Sequence, residues 1–532
     1  MKKLLLLPLF LWGVDFKSQT PKNPAIYIPA MCYTKTKDEK GFIHNPCFSC
    51  HINSIPPNYV NDYDLQLSYS FPQPALKNPY KNLFKDYTKE VAKISDEEIL
   101  NYVKTSNYFD KDGNIILAKK LKNLPKNWDS NNNSKWDGYI PDCYYNFDKD
   151  GFDRDKNGKF TGWRAFAYMP FLGTFWPTNG STDDVLIRLP KKFQTLNGKF
   201  DKETYIVNFA ILEAMIKRKD IKISPVNEKR WGVDLDKDGK LDIAKKIKYD
   251  WAPLKNRFMN YIGDAKNEKI AAGLFPVGTE FLHTVRYILP ENNTIKLAPR
   301  IKEIRYAKKL FWMNYATLKR LAHSRIIEKD LDPDILETFN GDSERGLRNH
   351  FGWVYQGFIE DKNGNLRPQT YTETLSCMGC HDAIGATTDT IFSFPRKLNN
   401  YKNGWYYPSE KDLKNVPEFR YKDGTYEYSN YLMLNKSGNE FRTNDEVYNK
   451  FFDKNGKPKK EAFEKLHKDV TYLIYPSKKR ALMLNKAYRV IVKKQSYIYG
   501  KAPHIKPLNN VYKQLKDGQL TGIKKPFLIP YK

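Results

Sequence analysis

The sequence predicts a mainly α-helical fold with long irregular loops and few short strands. Three observations support this class. Apolar residues recur on a helical period in the middle and near the end of the chain, whereas residues 21–94 are rich in Pro, Asn and Tyr and show no sustained period. Aromatic residues make up 14% of the 532 residues, enough to fill a large core. The length permits several domains, and a single large domain with long loops is equally compatible.

The N-terminus has the layout of a secretory signal over residues 1–18. Two lysines precede an apolar run from Leu4 to Val14. That run is shorter than the ~20 residues that span a bilayer. No cysteine closes the run, so a lipoprotein is not indicated. We expect an exported, periplasmic protein, with an uncleaved interfacial anchor as the alternative.

Four segments carry the helical signals. Ser95 and Glu98 have the spacing of a capping box ahead of an apolar period. Residues 203–219 and 307–330 repeat apolar residues at helical spacing, and "KKRALMLNKAYRVIVKKQ" does so near the C-terminus.

Two other segments are predicted differently. Residues 126–138, "KNWDSNNNSKWDG", are expected to be a linker or an exposed loop. The aromatic stretch 162–190 is either ordinary core or the lining of a pocket. After the signal we predict three regions: an N-terminal segment 19–130, a middle region 131–345 and a C-terminal domain 346–532.

The most specific pattern is C-x-x-C-H, which occurs twice. Residues 46–51 are "PCFSCH" and residues 376–381 are "SCMGCH". With 6 Cys and 8 His in the chain, the expected number of chance matches is on the order of 10⁻³. A four-thiolate zinc site is the main alternative. Zinc does not require a His directly after each second Cys, whereas attached haem does, so haem is favoured.

At these two motifs the chain resembles dihaem c-type cytochromes. The resemblance implies two covalent haem c groups in c-type cytochrome haem-binding segments. It implies thioether bonds from Cys47, Cys50, Cys377 and Cys380, and proximal iron ligation by His51 and His381. It also implies electron transfer in the periplasm, where haem c is attached.

Two alternatives to electron transfer stay open. One is a haem-dependent oxidoreductase that resembles the bacterial dihaem cytochrome c peroxidases, with one open catalytic haem. The other is a calcium-stabilised binding protein in which the haem is structural. Candidate residues for the distal face of an iron are His283, Arg286 and His350.

Two acidic loops have the alternating oxygens that calcium prefers. "DLDKDGKLD" has Gly239 at the sharp turn, and "DKDGFDRDKNGK" contains two glycines. Both loops lack the bidentate Glu of a full EF-hand, and the alternative is a set of Asp-Gly turns. The predicted ligands are Asp234, Asp236, Asp238, Lys240 and Asp242 in the first loop, and Asp148, Asp150, Asp153, Asp155 and Asn157 in the second.

The remaining expectations concern the spare cysteines and the charge. Cys32 and Cys143 are expected to pair as a disulfide in an oxidising compartment, with an axial thiolate as the alternative. The net charge is +28. Export argues against nucleic acid, so we expect an acidic redox partner or an anionic membrane surface.

Overall fold

The computed structural model describes residues 14–60, 63–398, 404–436 and 444–528. Its main element is an antiparallel sheet of ten strands in the described part of the chain. The strand order is β1-β2-β4-β9-β10-β13-β12-β11, with β3 paired to β9 and β14 paired to β13. Two short hairpins, β5-β6 and β7-β8, lie outside this sheet.

The strands are β1 Phe152–Arg154, β2 Phe160–Phe166, β3 Thr182–Asp183, β4 Val185–Arg188, β5 Thr195–Leu196, β6 Lys199–Phe200, β7 Ile221–Asn227, β8 Ile243–Ile247, β9 Glu280–Glu291, β10 Thr294–Lys309, β11 Gly341–Asp342, β12 Gly346–Arg348, β13 Trp353–Glu360 and β14 Leu366–Pro368. The helices are α1 Gln73–Leu76, α2 Thr88–Ala92, α3 Asp96–Lys104, α4 Ile116–Lys122, α5 Trp176–Asn179, α6 Lys202–Lys217, α7 Tyr315–Leu331, α8 Tyr371–Met378, α9 Glu427–Asn435, α10 Asp445–Phe451, α11 Lys460–Lys468, α12 Thr471–Ile474 and α13 Lys478–Lys494.

The expectation of a mainly α-helical fold is therefore wrong, because a large sheet forms the centre of the molecule. Its longest hairpin joins β9 to β10 through Asn292 and Asn293, whose φ angles are 48° and 57°. Asparagine tolerates this left-handed backbone, and the two-residue turn matches the twist of the strands. The predicted helix 307–330 begins only at Tyr315, since residues up to Lys309 belong to β10.

Three predicted helices have the expected physical basis. The Ser95 hydroxyl accepts a hydrogen bond from the Glu98 backbone and begins α3. The Asp201 carboxylate accepts the corresponding backbone hydrogen bond at the start of α6, a helix that is buried on nearly every side. Ser477 begins α13, whose apolar face packs on the strands β9 and β10 with α2 and α3 beside it.

The first and last parts of the described chain pack together. Isolated bridges pair Thr34 with Val511, and Lys77 with Gln514. The Phe48 ring, in the first motif, lies 5.1 Å from the Phe527 ring. The segments predicted as 19–130 and 346–532 thus contact each other directly, and their boundaries stay predictions.

Candidate functional site

The two C-x-x-C-H segments lie against each other, although more than half of the chain separates them in sequence. The Ala386 backbone N–H, five residues after the second motif, donates to the Cys50 carbonyl at 3.0 Å. A Cβ atom at Gly385 would lie 2.0 Å from the Ile52 carbonyl oxygen. Only glycine permits this approach, so the contact between the segments depends on it.

The same backbone turn builds both motifs. The His51 N–H donates to the Cys47 carbonyl at 2.9 Å, and the His381 N–H donates to the Cys377 carbonyl at 3.3 Å. In the first motif the turn is a short 3₁₀ helix over Cys47–Ser49. In the second it spans the end of α8, which contains Cys377 and begins with a capping box at Thr370. Each turn presents two thiols and one imidazole from a single helical turn.

The His381 imidazole is arranged as a metal ligand. Its Nδ1 lies 2.7 Å from the Thr390 carbonyl oxygen, which can only accept, so Nδ1 carries the proton and the Nε2 lone pair is left for a metal. Burial lowers the pKa of the imidazole to about 4, and the positive charge of Arg305 lowers it further. The hydrogen bond to the Thr390 carbonyl acts in the opposite direction. The ring is therefore neutral at physiological pH and packs 4.6 Å from the Tyr355 ring.

The thiols of the two motifs are only partly accessible to solvent. Burial raises the pKa of Cys47 to about 12 and that of Cys380 to about 11, yet each cysteine keeps part of its accessible surface. Burial also raises the pKa of Cys50 strongly, with contributions from Cys380 and Cys32. Cys32 is thus a fifth thiol beside both motifs.

The expected Cys32–Cys143 disulfide is absent, because both residues are free thiols. Cys143 is fully buried in a different cluster, and its nearest charged neighbours are Asp153 and Asp142. In the described part of the chain, the only group of three potential ligand atoms within 4.8 Å of one another is formed by carboxylates. The cysteines are therefore not gathered as a four-thiolate zinc site would require.

The three predicted distal residues have different surroundings. His283 is near enough to His381 to lower the pKa of that imidazole, and its Nδ1 bonds to the Asp184 carbonyl oxygen. The buried Arg286 guanidinium lies 3.5 Å from the Asp184 carboxylate and over the Tyr145 ring. Of these three, the structure brings His283 to the second motif and gives Arg286 a packing role.

His350 is exposed and lies near Asp382, the residue directly after the second motif. Its side chain is 42% exposed, and its Nε2 lies 3.6 Å from the Glu337 carboxylate. The hydrogen bond to Glu337 raises the pKa of this imidazole.

The first predicted calcium loop gains a ligand that sequence reasoning missed. Glu228 is fully buried and joins Asp234 and Asp236 in a group whose oxygens lie within 4.8 Å. The Asp236 Oδ1 atom is buried without a hydrogen-bond partner. Asp238, Lys240 and Asp242 complete the turn around Gly239, with the Asp242 N–H donating to Glu228 at 3.1 Å. No sequence signal links Glu228 to the loop, since it precedes the Asp-rich pattern.

In the second predicted calcium loop, a lysine offsets the negative charge of two carboxylates. The Lys202 ammonium lies 2.8 Å from Asp148 and 2.6 Å from Asp150. Asp153 is buried and accepts from two backbone N–H groups and the Thr161 hydroxyl. Asp155 closes a local turn with the backbone of Asn157 at 2.9 Å. Lys202 thus supplies positive charge to this loop, and calcium binding there stays a prediction.

Fold and site together define a large sheet-centred protein with one central thiol and imidazole centre. The chain belongs to a lipoprotein family whose description reads "-like lipoprotein", matched over residues 16–468. It is also 33% identical to an "Uncharacterized lipoprotein" of Aquifex aeolicus (strain VF5), over 96% of this chain and 92% of the relative. No solved structure matches the fold.

These relationships correct three expectations. The assignment to dihaem c-type cytochromes is wrong, as is the likeness to cytochrome c peroxidases, because the family that matches is a lipoprotein family. Electron transfer falls with it, as do the oxidoreductase and binding-protein alternatives, whereas haem attachment stays a prediction. The view that the chain is not a lipoprotein is also corrected by its family. No helix among the described residues is both long and apolar enough to cross a bilayer.

Proposed function

We propose that this member of the lipoprotein family is a cell-envelope protein that holds haem covalently at the centre where its two C-x-x-C-H segments meet. The observation that carries the proposal is the contact between the two motifs, in each of which the His N–H donates to the carbonyl of the first Cys, combined with the His381 imidazole, whose Nδ1 is held by a backbone carbonyl. This arrangement supports two haem c groups per chain, with an iron ligand from each of His51 and His381.

The chain supplies attachment, orientation and enclosure. Cys47 and Cys50 would hold one macrocycle, and Cys377 and Cys380 the other, through thioether bonds. The Thr390 carbonyl fixes the His381 ring and raises its strength as a ligand. Haem would bring an iron whose redox and ligand-binding properties are set by the second axial position.

Haem attachment is tested by expressing the full chain in an exporting host that attaches c-type haem. A pyridine haemochrome assay with protein quantification should give two haems per chain, and the haem should stay bound on a denaturing gel. The double variants Cys47→Ala/Cys50→Ala and Cys377→Ala/Cys380→Ala should each lose one haem. Cys143→Ala is the matched control, because that thiol lies outside the centre, and it should keep both.

The proposal would be overturned if the wild-type chain carried no haem after denaturation. Zinc at one equivalent per chain, measured by elemental analysis on the same sample, would replace it with the thiolate alternative.

Calcium at the loop Asp234–Asp242 is a second proposal. Glu228 and Asp236 favour it, because a buried carboxylate oxygen without a partner is costly unless a cation neutralises it. Calcium titration of the full chain should lose one bound ion in Glu228→Gln, and unchanged binding in that variant would contradict the site.

Export is proposed on the basis of the N-terminal sequence and the lipoprotein family. The predicted signal, residues 1–18, lies largely outside the described residues. The Phe16 ring is 4% exposed and packs 6.1 Å from the Trp128 ring. We therefore place the start of the mature chain before Phe16, which N-terminal sequencing of the exported protein would check. The acidic partner and the anionic membrane surface stay predictions.

A further inference from the structure

One face of the central sheet carries two polar residues where the second motif packs. His283 in β9 and Arg305 in β10 are direct cross-strand partners, and so are Phe281 and Ala307, each two residues away. Opposite residues, and residues two apart on one strand, point to the same side of a sheet. Phe281 and Ala307 are buried in the core cluster that also contains Met378 of the second motif. His283 and Arg305 therefore lie on the face of the sheet that is turned toward this motif.

The same face of the sheet contacts the imidazole of the second motif. Tyr355 of β13 lies opposite Ala307, so its ring points to this side, and it packs 4.6 Å from the His381 ring. His381 thus lies over β13, one strand from Arg305 and two strands from His283. The effect of the charges of Arg305 and His283, which both lower the pKa of His381, agrees with this placement.

The His283 imidazole has the same internal arrangement as that of His381. Its Nδ1 bonds to the Asp184 carbonyl oxygen, which can only accept, so Nδ1 carries the proton and Nε2 has a lone pair. The Asp183 carboxylate lies 3.9 Å from this Nε2, beyond hydrogen-bond distance, and the side chain is 24% exposed. An imidazole whose second nitrogen donates to a backbone carbonyl is the usual form of a metal-binding histidine.

The other histidines outside the motifs lack this arrangement in the part of the chain that the structure describes. The Nε2 atoms of His44 and His350 face carboxylates, at 2.9 and 3.6 Å. Both ring nitrogens of His504 lie at backbone carbonyls. The His467 ring stacks on a tyrosine, and His323 is exposed on α7. Among these residues, His283 alone combines a held Nδ1, an Nε2 lone pair and a place beside the second motif.

We propose that His283 is the second axial ligand of the iron that His381 holds, so that the haem at the second motif is six-coordinate. The inference rests on the proposed haem attachment and adds a ligand to it. A hydrogen bond from Nδ1 to a carbonyl strengthens an imidazole as a ligand, and a second strong ligand leaves that iron without an open position. The three distal candidates thus have separate roles: His283 binds iron, Arg286 packs, and His350 faces Glu337.

The test is low-temperature electron paramagnetic resonance of the oxidised full chain, expressed in a host that attaches c-type haem. Haem is quantified on the same samples. In wild type the iron at the second motif should be low-spin. His283→Ala should keep two haems per chain and convert one iron per chain to high-spin, because its sixth position is no longer held by the protein. Added imidazole should restore the low-spin signal.

Two further variants locate the change. His350→Ala is the matched control, because its imidazole lies near the second motif but faces Glu337, and it should keep the wild-type spectrum. In the Cys47→Ala/Cys50→Ala background the remaining haem is the one at the second motif, so His283→Ala should there convert all of the iron to high-spin.

Failure of this inference differs from failure of the proposed function. A wild-type chain without haem would overturn both. Two haems per chain with an unchanged low-spin signal in His283→Ala would overturn His283 as the ligand and leave haem attachment intact, as would a high-spin iron at the second motif of wild type. If His283→Ala does not fold, His283→Gln takes its place, and the same spin-state results decide.

Discussion

Removing the carboxylate of Glu213 should destabilise the fold by about 3 kcal/mol at neutral pH. Glu213 is on α6 and only 3% exposed, with the ammonium groups of Lys217 and Lys397 at 2.8 and 2.7 Å. Burial alone would raise the pKa of this carboxyl, but Lys397 and Lys217 outweigh it and lower the pKa to about 2. A fall from 4.5 to about 2, at 1.36 kcal/mol per unit, gives roughly 3 kcal/mol.

The variant Glu213→Gln keeps the shape and leaves two buried ammonium groups without a carboxylate, for which a loss of about 3–5 kcal/mol is typical. Guanidinium unfolding of wild type and Glu213→Gln at pH 7 measures this loss of unfolding free energy. The contribution of the ionised Glu213 is complete above pH 4.5 and is lost as pH falls toward 2, because the folded pKa is the lower one. Glu464→Gln, whose partner Lys460 is 90% exposed at 3.8 Å, should change stability by less than ~0.5 kcal/mol. A Glu213→Gln loss below about 1 kcal/mol would refute the reasoning.

Two further predictions concern the motif contact and a second buried acid. Gly385→Ala should lower the unfolding free energy by more than about 2 kcal/mol, because its Cβ would lie 2.0 Å from the Ile52 carbonyl oxygen. Ser376→Ala is the control. A difference in unfolding free energy between the two variants below about 0.5 kcal/mol would contradict the close approach. Burial raises the pKa of Glu418 to about 7, despite hydrogen bonds from Ser429. Ionisation of Glu418 therefore destabilises the folded state. The unfolding free energy of wild type should fall by about 3 kcal/mol relative to that of Glu418→Gln as pH rises from 4.5 to 7. Parallel profiles of stability against pH for the two proteins would exclude this.

The sequence predicts the helices that carry their own local signals. Ser95, Asp201 and Ser477 each cap a helix whose apolar period is complete within one segment. The sheet could not be predicted in the same way, because β9, β10 and β13 acquire their burial from one another. Residues such as Lys302 and Glu303 are fully or almost fully buried in β10, and a pattern of apolar alternation does not include them.

The candidate site likewise combines local patterns, which the sequence predicts, with contacts that depend on the fold. Each C-x-x-C-H turn is a local pattern and was found, whereas the contact between Cys50 and Ala386 depends on the fold. The buried Glu228 lies outside the acidic loop whose Leu235 and Asp242 N–H groups donate to it, so no local pattern includes it. A cofactor pattern also does not establish a family: the cytochrome assignment rested on two short motifs, and the family relationship extends over residues 16–468.

The pairing of the first and last parts of the chain has a consequence for biogenesis. The backbone N–H groups of Lys35 and Tyr87 donate to the carbonyls of Asn510 and Ile505, and the Phe48 ring of the first motif packs on the Phe527 ring. During vectorial synthesis and translocation, these residues emerge last. The first motif therefore reaches its final surroundings only after the last residues of the chain have been made, and a chain truncated before residue 505 would lack the contact between Phe48 and Phe527.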